Sequence, residues 1–269
     1  LEYCRLMKLH LKITYAVLAL LIALTVEAKI KFGANLGHRM SGGPREHFSK
    51  LPENSLAALK AVLLGDNGKK PLQFHENFRY LEFDIQETAD GEIIVFHNQK
   101  LSPWLPNNQQ NLAALNEIYR DPGVQLRVGH RRVRYSDLKI QHLTLEQVQS
   151  LILKNGTEPA PSFHQVLEKL VEWNLRKPLA IDIKYFRSDS AREKVIELAS
   201  YYGELLDTRG TPIFEDGYDL SQATVNFISF AKYFKNSFPF KTWCQRFQAA
   251  GFLKIYRAIY HWDNLCSKY

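Results

Sequence analysis

The chain has 269 residues, 45% of them hydrophobic, a length that suits one α/β domain with a sizeable core. Its net charge of +7 favours anionic small molecules, but the charge is too diffuse to indicate nucleic-acid binding. Its three cysteines do not make a disulfide framework, and none has a Cys or His partner at zinc-site spacing.

Arg5, Lys8 and Lys12 precede an apolar run, Ile13 to Val26, shorter than the ~18–20 residues that span a bilayer. Val26-Glu27-Ala28 then places small residues where a signal peptidase reads. Residues 1–28 are therefore expected to be a signal peptide, leaving residues 29–269 as one secreted or periplasmic domain with no stable membrane anchor after cleavage. In that compartment Cys244 and Cys266 are able to form one disulfide.

Ile30 to Leu36 reads as a strand and leads into Gly37-His38-Arg39. Pro52 to Leu64 reads as a helix with proline in its first turn and Leu56, Ala57, Leu59 and Leu63 on the buried side. In Leu81 to Ile85, Phe83 and Ile85 alternate with Glu82 and Asp84, so the two acids project from one strand face about 7 Å apart. An Asp90-Gly91 turn follows, then a strand from Ile93 to Phe96 that ends on His97. Residues 98 to 142 break the pattern with Pro103, Pro106, Pro122 and a polar run from Asn107 to Asn111; an insertion here is expected to shape a substrate pocket. Within it, Arg127 to Arg134 reads as a solvated hairpin face.

Thr144-Leu145-Glu146-Gln147 is a capping-box pattern opening a helix expected to run to Asn155-Gly156. Ser162-Phe163-His164-Gln165 repeats the pattern and opens a helix through about Leu175. Leu179 to Ile183 is a strand carrying Asp182 just ahead of Lys184, Ser190 to Leu206 a helix, and Val225 to Phe230 a strand. Phe240 to Tyr269 reads as helix, with Trp243, Phe247, Phe252, Ile255, Ile259 and Trp262 as apolar candidates.

Alternating strands and helices predict an α/β fold with a parallel sheet. His38-Arg39, Glu82-x-Asp84, His97 and Asp182-x-Lys184 all fall at strand ends, which converge on one mouth in an α/β barrel. Two carboxylates on one face with a histidine nearby point to a hard cation and proton transfer, hence to an enzyme.

At these residues, together with Pro52-Glu53-Asn54-Ser55, Thr88-x-Asp90-Gly91, Leu143 to Leu167 and Ser229-Phe230, the sequence resembles the glycerophosphodiester phosphodiesterase family. The resemblance runs in order from about residue 34 to 230. It implies a TIM-type (β/α)8 barrel, and the count of strands leads to the expectation that this barrel is incomplete at the C-terminus. It further implies a divalent cation, Ca²⁺ or Mg²⁺, held by Glu82, Asp84 and Asp182. Arg39 and Lys184 would bind the substrate phosphate, and His38 and His97 would form the acid/base pair. Glu53 and Asn54 are expected to serve mainly the helix start. Asp182 stands where the family more often has glutamate, and Asn98 where aspartate is common. The implied substrate is a glycerophosphodiester cleaved to glycerol 3-phosphate and an alcohol. A lysophospholipase D or sphingomyelinase D type activity, or a truncated non-catalytic barrel, are the alternatives.

Overall fold

A computed structural model describes residues 35–41, 51–66, 68–120, 127–128, 131–206, 214–215, 218–219, 225–229, 240–252, 255–257 and 265–266. The expected signal peptide and nearly all of the expected first strand lie outside them.

The central sheet is built on β1 (Leu81–Glu87). β1 turns through Gly91, at φ 78°, into the antiparallel β2 (Ile93–Val95). On its other side lie three parallel strands in succession, β5 (Leu179–Ile183), β8 (Val225–Ser229) and β9 (Ile255–Arg257). Two short hairpins, β3 (Arg127–Val128) with β4 (Arg131–Arg132) and β6 (Phe214–Glu215) with β7 (Tyr218–Asp219), stand apart from it. The arginine-rich segment is thus a hairpin, as its sequence implies. Among the described residues the sheet is an open arc of five strands.

Helices α1 (Leu56–Leu64), α4 (Phe163–Glu172), α5 (Asp189–Leu205) and α6 (Phe240–Ala249) contribute to the main core with the sheet. Phe83 and Ile85, on one face of β1, belong to that core, with Phe83 tilted against Phe163 of α4 at 6.0 Å. The opposite face is left to Glu82, Asp84 and Gln86. A second core, including Ile94, Phe96, Leu105, Leu115, Ile118, Ile140 and Leu151, fills the inserted region. It is organised by α2 (Gln109–Arg120) and the short α3 (Leu145–Gln149).

Several element boundaries differ from expectation. α1 starts at Leu56, capped by the Ser55 hydroxyl on Ala58 N–H, so Pro52 precedes the helix. Its buried set is Ala58, Leu59, Ala61, Val62 and Leu63, while Leu56 and Ala57 are half-buried. α3 has the expected Thr144–Gln147 capping box but ends at Gln149, well before Asn155. The following chain turns to bury Leu151 and Leu153 in the second core, and Asn111 of α2 grips the Ile152 backbone from both sides. The polar run from Asn107 to Asn111, one of the features that break the pattern, starts α2: Asn108 accepts from Asn111 N–H through its side chain and from Leu112 N–H through its carbonyl.

The largest correction concerns the C-terminal region. The expected long helix stops at Ala249, Gly251 takes φ 89°, and Ile255–Arg257 pairs as a strand with Phe227–Ser229. Trp243 and Phe247 do face the core, stacked on each other at 5.0 Å, and Cys244 is disulfide-bonded to Cys266. Among the described residues no helix is long and apolar enough to cross a membrane.

Candidate active site

The site grows out of the polar face of β1. Parallel register sets Asp84 beside Asp182 of β5, and Glu82 beside Ala180, so both strands present acids to the same side. Glu82, Asp84 and Asp182 are almost fully buried, and each offers an oxygen within 4.8 Å of the others. Lys184, also buried, donates to Asp84 at 3.0 Å and to Asp182.

Three buried carboxylates facing one lysine leave the cluster short of positive charge. Burial, then repulsion from Asp84 and Asp182, pushes the Glu82 pKa well above the ordinary carboxylate range. Burial raises Asp182 to about 7 against the pull of Lys184. Burial opposes ionisation of Asp84 as well, but Lys184, His97, Arg39 and the amide of Asn54 together outweigh it and hold its pKa low. Asp182 Oδ1 is buried without a hydrogen-bond partner. An all-oxygen donor set, an excess of acid and an orphaned acceptor fit a hard divalent cation.

His38 and Arg39 reach this cluster on a 3-10 turn, His38–Met40, whose Arg39 and Met40 have φ of 51° and 59°. The turn is pinned to β1: Glu82 N–H donates to Gly37 carbonyl at 2.9 Å, and Arg39 N–H donates to Glu82 Oε2 at 2.8 Å. Gly37 is required here, because a Cβ would lie 1.9 Å from Tyr80 carbonyl oxygen. Gly37→Ala is expected to destabilise the fold by roughly 1–3 kcal/mol, read by chemical denaturation, and to disturb His38 and Arg39 with it.

The Arg39 guanidinium joins the pieces. It donates to Glu53 at 3.1 Å, lies 3.8 Å from Asp84, and bonds His97 Nε2 at 2.7 Å. A guanidinium can only donate, so Nε2 of His97 is the acceptor and its imidazole is neutral. Burial, then the positive charges of Arg39 and Lys184 working against Asp84, lowers the His97 pKa to about 4. His38, 3.7 Å from Glu82, is likewise lowered to about 4 by burial and by Arg39.

The structure therefore brings together all seven residues singled out in the sequence: His38, Arg39, Glu82, Asp84, His97, Asp182 and Lys184. It adds three more. Asn54, at φ 57°, donates to Asp84 Oδ2 at 2.8 Å and accepts from the Asp84 N–H. With Glu53 holding Arg39, this corrects the expectation that Glu53 and Asn54 serve mainly the helix start. Gln86 donates to the carbonyls of Phe96 at 2.7 Å and Asn98 at 3.0 Å, fixing the backbone on either side of His97. Its signal in the sequence is its spacing of two from Asp84 on the same strand face.

The glycerophosphoryl diester phosphodiesterase family model matches residues 45–233, more than half of the chain. The chain belongs to this family. Its members are TIM-type barrels, and the β5–β8–β9 run beside β1 follows that parallel plan. The match begins beyond His38 and Arg39, which the fold nonetheless brings to Glu82. Among solved structures, the chain is similar to the glycerophosphodiester phosphodiesterase of Agrobacterium tumefaciens, at 16% identity over 77% of this chain and 60% of that one, TM-score 0.39. A glycerophosphoryl diester phosphodiesterase from Parabacteroides distasonis is 15% identical over 82% of this chain and 60% of its own, TM-score 0.38. An Oleispira antarctica phosphodiesterase, solved with the product sn-glycerol-3-phosphate, is 16% identical over 82% of this chain and 73% of its own, TM-score 0.40. The chain thus spans 60% of the Agrobacterium and Parabacteroides proteins. No curated protein gives a significant match.

Proposed function

We propose that this protein is a metal-dependent phosphodiesterase that hydrolyses glycerophosphodiesters to glycerol 3-phosphate and an alcohol. The observation that carries the reading is the convergence of Glu82, Asp84 and Asp182 beside a bonded Arg39–His97 pair, in a member of this family. The acid cluster would hold Ca²⁺ or Mg²⁺, which supplies a positive charge to offset charge developing on the phosphate oxygens. Arg39 presents a guanidinium suited to bidentate phosphate contact, and Lys184, beside Asp84 and Asp182, adds a second cation.

In hydrolysis a water oxygen bonds to phosphorus while the bond from phosphorus to the alcohol oxygen breaks. One imidazole of the His38–His97 pair accepts the proton from the attacking water, and the other delivers a proton to the departing oxygen. Both are neutral in the resting protein, which suits proton acceptance. An incoming phosphate anion favours protonation of the imidazole that will act as the acid. The Cys244–Cys266 disulfide supports export to an oxidising compartment.

The test is hydrolysis of glycerophosphocholine against lysophosphatidylcholine, before and after chelation. Activity is expected on the glycerophosphodiester, lost with EDTA and restored by Mg²⁺ or Ca²⁺, and the cation should also raise the thermal midpoint. Preference for the lysolipid would replace this reading with the lipid-cleaving one. A folded protein that hydrolyses neither substrate with either cation would leave a non-catalytic barrel.

A further inference from the structure

Just before α1, the buried Asn54 lies at φ 57°, and its N–H donates at 2.9 Å to the carbonyl of Arg39, itself at φ 51°. Met40 follows at φ 59°. Left-handed residues other than glycine cost stability, and they gather where a site needs them. We propose that Asn54 is a positioning residue that fixes the carboxylate of Asp84 for the cation, and so sets how strictly the site discriminates between Mg²⁺ and Ca²⁺. The proposal rests on the metal-dependent phosphodiesterase reading, because that reading gives the acid cluster a cation to hold.

Both ends of the Asn54 amide are committed to one residue. Its Nδ2 donates to Asp84 Oδ2 at 2.8 Å, and its Oδ1 accepts from the Asp84 N–H at 3.3 Å. One side chain from 30 residues away thus clasps the main chain and the carboxylate of Asp84 together. The helix start does not need this amide, because the Ser55 hydroxyl already caps α1 on Ala58 N–H. An amide suits the double bond, since an ionised carboxylate offers no donor and an ammonium no acceptor.

The other oxygen of the same carboxylate is held by Lys184, 3.0 Å from Oδ1. Each carboxylate oxygen offers about two lone pairs, so one is taken on each and one is left. Asp84 is therefore held in place with acceptor capacity to spare, in a cluster whose Asp182 Oδ1 has no hydrogen-bond partner. A cation then meets a preset ligand and not one free to swing. Such rigidity matters most to Mg²⁺, which demands near-octahedral geometry at about 2.0–2.1 Å, and less to Ca²⁺, which accepts looser shells. Through its bond to the Arg39 carbonyl, the residue that orients the acid also anchors the phosphate-binding turn.

The test is calorimetric titration of the wild type, Asn54→Gly and Asn54→Asp with MgCl2 and with CaCl2, with hydrolysis of glycerophosphocholine followed in parallel. Glycine keeps the left-handed backbone and its bond to Arg39 while deleting the amide. Aspartate also tolerates that backbone but lacks the donor, and its added charge attracts both cations alike. Asn54→Gly should weaken Mg²⁺ binding by roughly 10- to 100-fold, the range for loss of a partner that orients a ligand. Ca²⁺ binding should weaken less, so the ratio of Ca²⁺ to Mg²⁺ affinity should rise by roughly tenfold. Turnover with Mg²⁺ should fall further than turnover with Ca²⁺. Asn54→Asp should raise the affinity ratio in the same direction, and it carries the test should Asn54→Gly fail to fold. A ratio unchanged in the folded variants would make Asn54 a structural residue and leave the phosphodiesterase reading intact. A wild type that binds neither cation would overturn both together.

Discussion

Alanine in place of His38 or His97 should lower turnover by roughly 100- to 10,000-fold, the range for loss of a positioned general acid or base. The two rings reach the acid cluster and its Arg39 by different routes. His38 precedes Arg39 on the turn pinned to Glu82, and His97 follows β2 with its Nε2 bonded to Arg39. Each imidazole is held neutral by burial and the Arg39 charge, so neither depends on bulk pH near 7 to be free of its proton. Loss should therefore appear in kcat, with KM moved little, because phosphate binding is left to Arg39, Lys184 and the cation. The double variant should be far less impaired than the product of the two single losses, as expected when both groups serve one proton-transfer sequence. Steady-state kinetics at saturating cation, with the thermal midpoint as a folding control, would check this. Turnover unchanged in both single variants would remove the two histidines from the chemistry.

Much of this site was legible because strand geometry is local. Glu82 and Asp84 are two apart in β1, and Lys184 follows Asp182 by two at the end of β5, so alternation alone places each pair on one face. The same logic reaches Gln86, whose bonds to Phe96 and Asn98 set the backbone around His97. The capping boxes at Thr144 and Ser162 are also local, and both close as their residues imply. What local pattern does not carry is partnership over distance. Glu53 and Asn54 sit just before a helix, but their roles depend on Arg39 and Asp84 arriving from other segments. α3 ends early for a similar reason, since Asn111 takes up the Ile152 backbone from 41 residues away. β9 escaped because Phe252, Ile255 and Ile259 repeat at spacings of three and four, which imitates a helix. A three-residue strand is defined by its neighbour, and here the neighbour is β8.

The site also runs against the stability of the fold that holds it. A polar face of β1 is buried, and its acids are kept close although they repel one another. Lys184 answers part of that repulsion and Asn54 part of the hydrogen bonding, while Asp182 Oδ1 remains unanswered within the protein. Such an arrangement persists when the lost stability is the function.

Glu82→Gln is accordingly expected to separate stability from activity. Glutamine keeps a carbonyl oxygen to accept from Arg39 N–H but cannot ionise, so it avoids the cost of a buried charge repelled by Asp84 and Asp182. Because burial and those neighbours raise the pKa of Glu82 in the folded state, the folded protein holds this proton more tightly than the unfolded chain does. Its contribution is fully present below the unfolded pKa, near 4.5, and is lost as pH rises through the folded value. Asp182 acts in the same sense between 3.8 and about 7. Without cation, the wild type should therefore lose stability relative to Glu82→Gln as pH increases from about 4.5 towards neutrality. The variant should be the more stable of the two at pH 7 by about 1–3 kcal/mol, or ~2–4 °C in thermal midpoint for each kcal/mol. Added Ca²⁺ or Mg²⁺ should reverse the order, stabilising the wild type and leaving the variant nearly unmoved. Hydrolysis by the variant should fall by roughly 1,000-fold, since several kcal/mol of charge stabilisation depend on the complete carboxylate set. Thermal melts of both proteins across pH, with and without cation, supply the decisive comparison. A variant less stable than the wild type in the absence of cation, yet equally stabilised by adding it, would show that Glu82 is a structural acid and not a ligand.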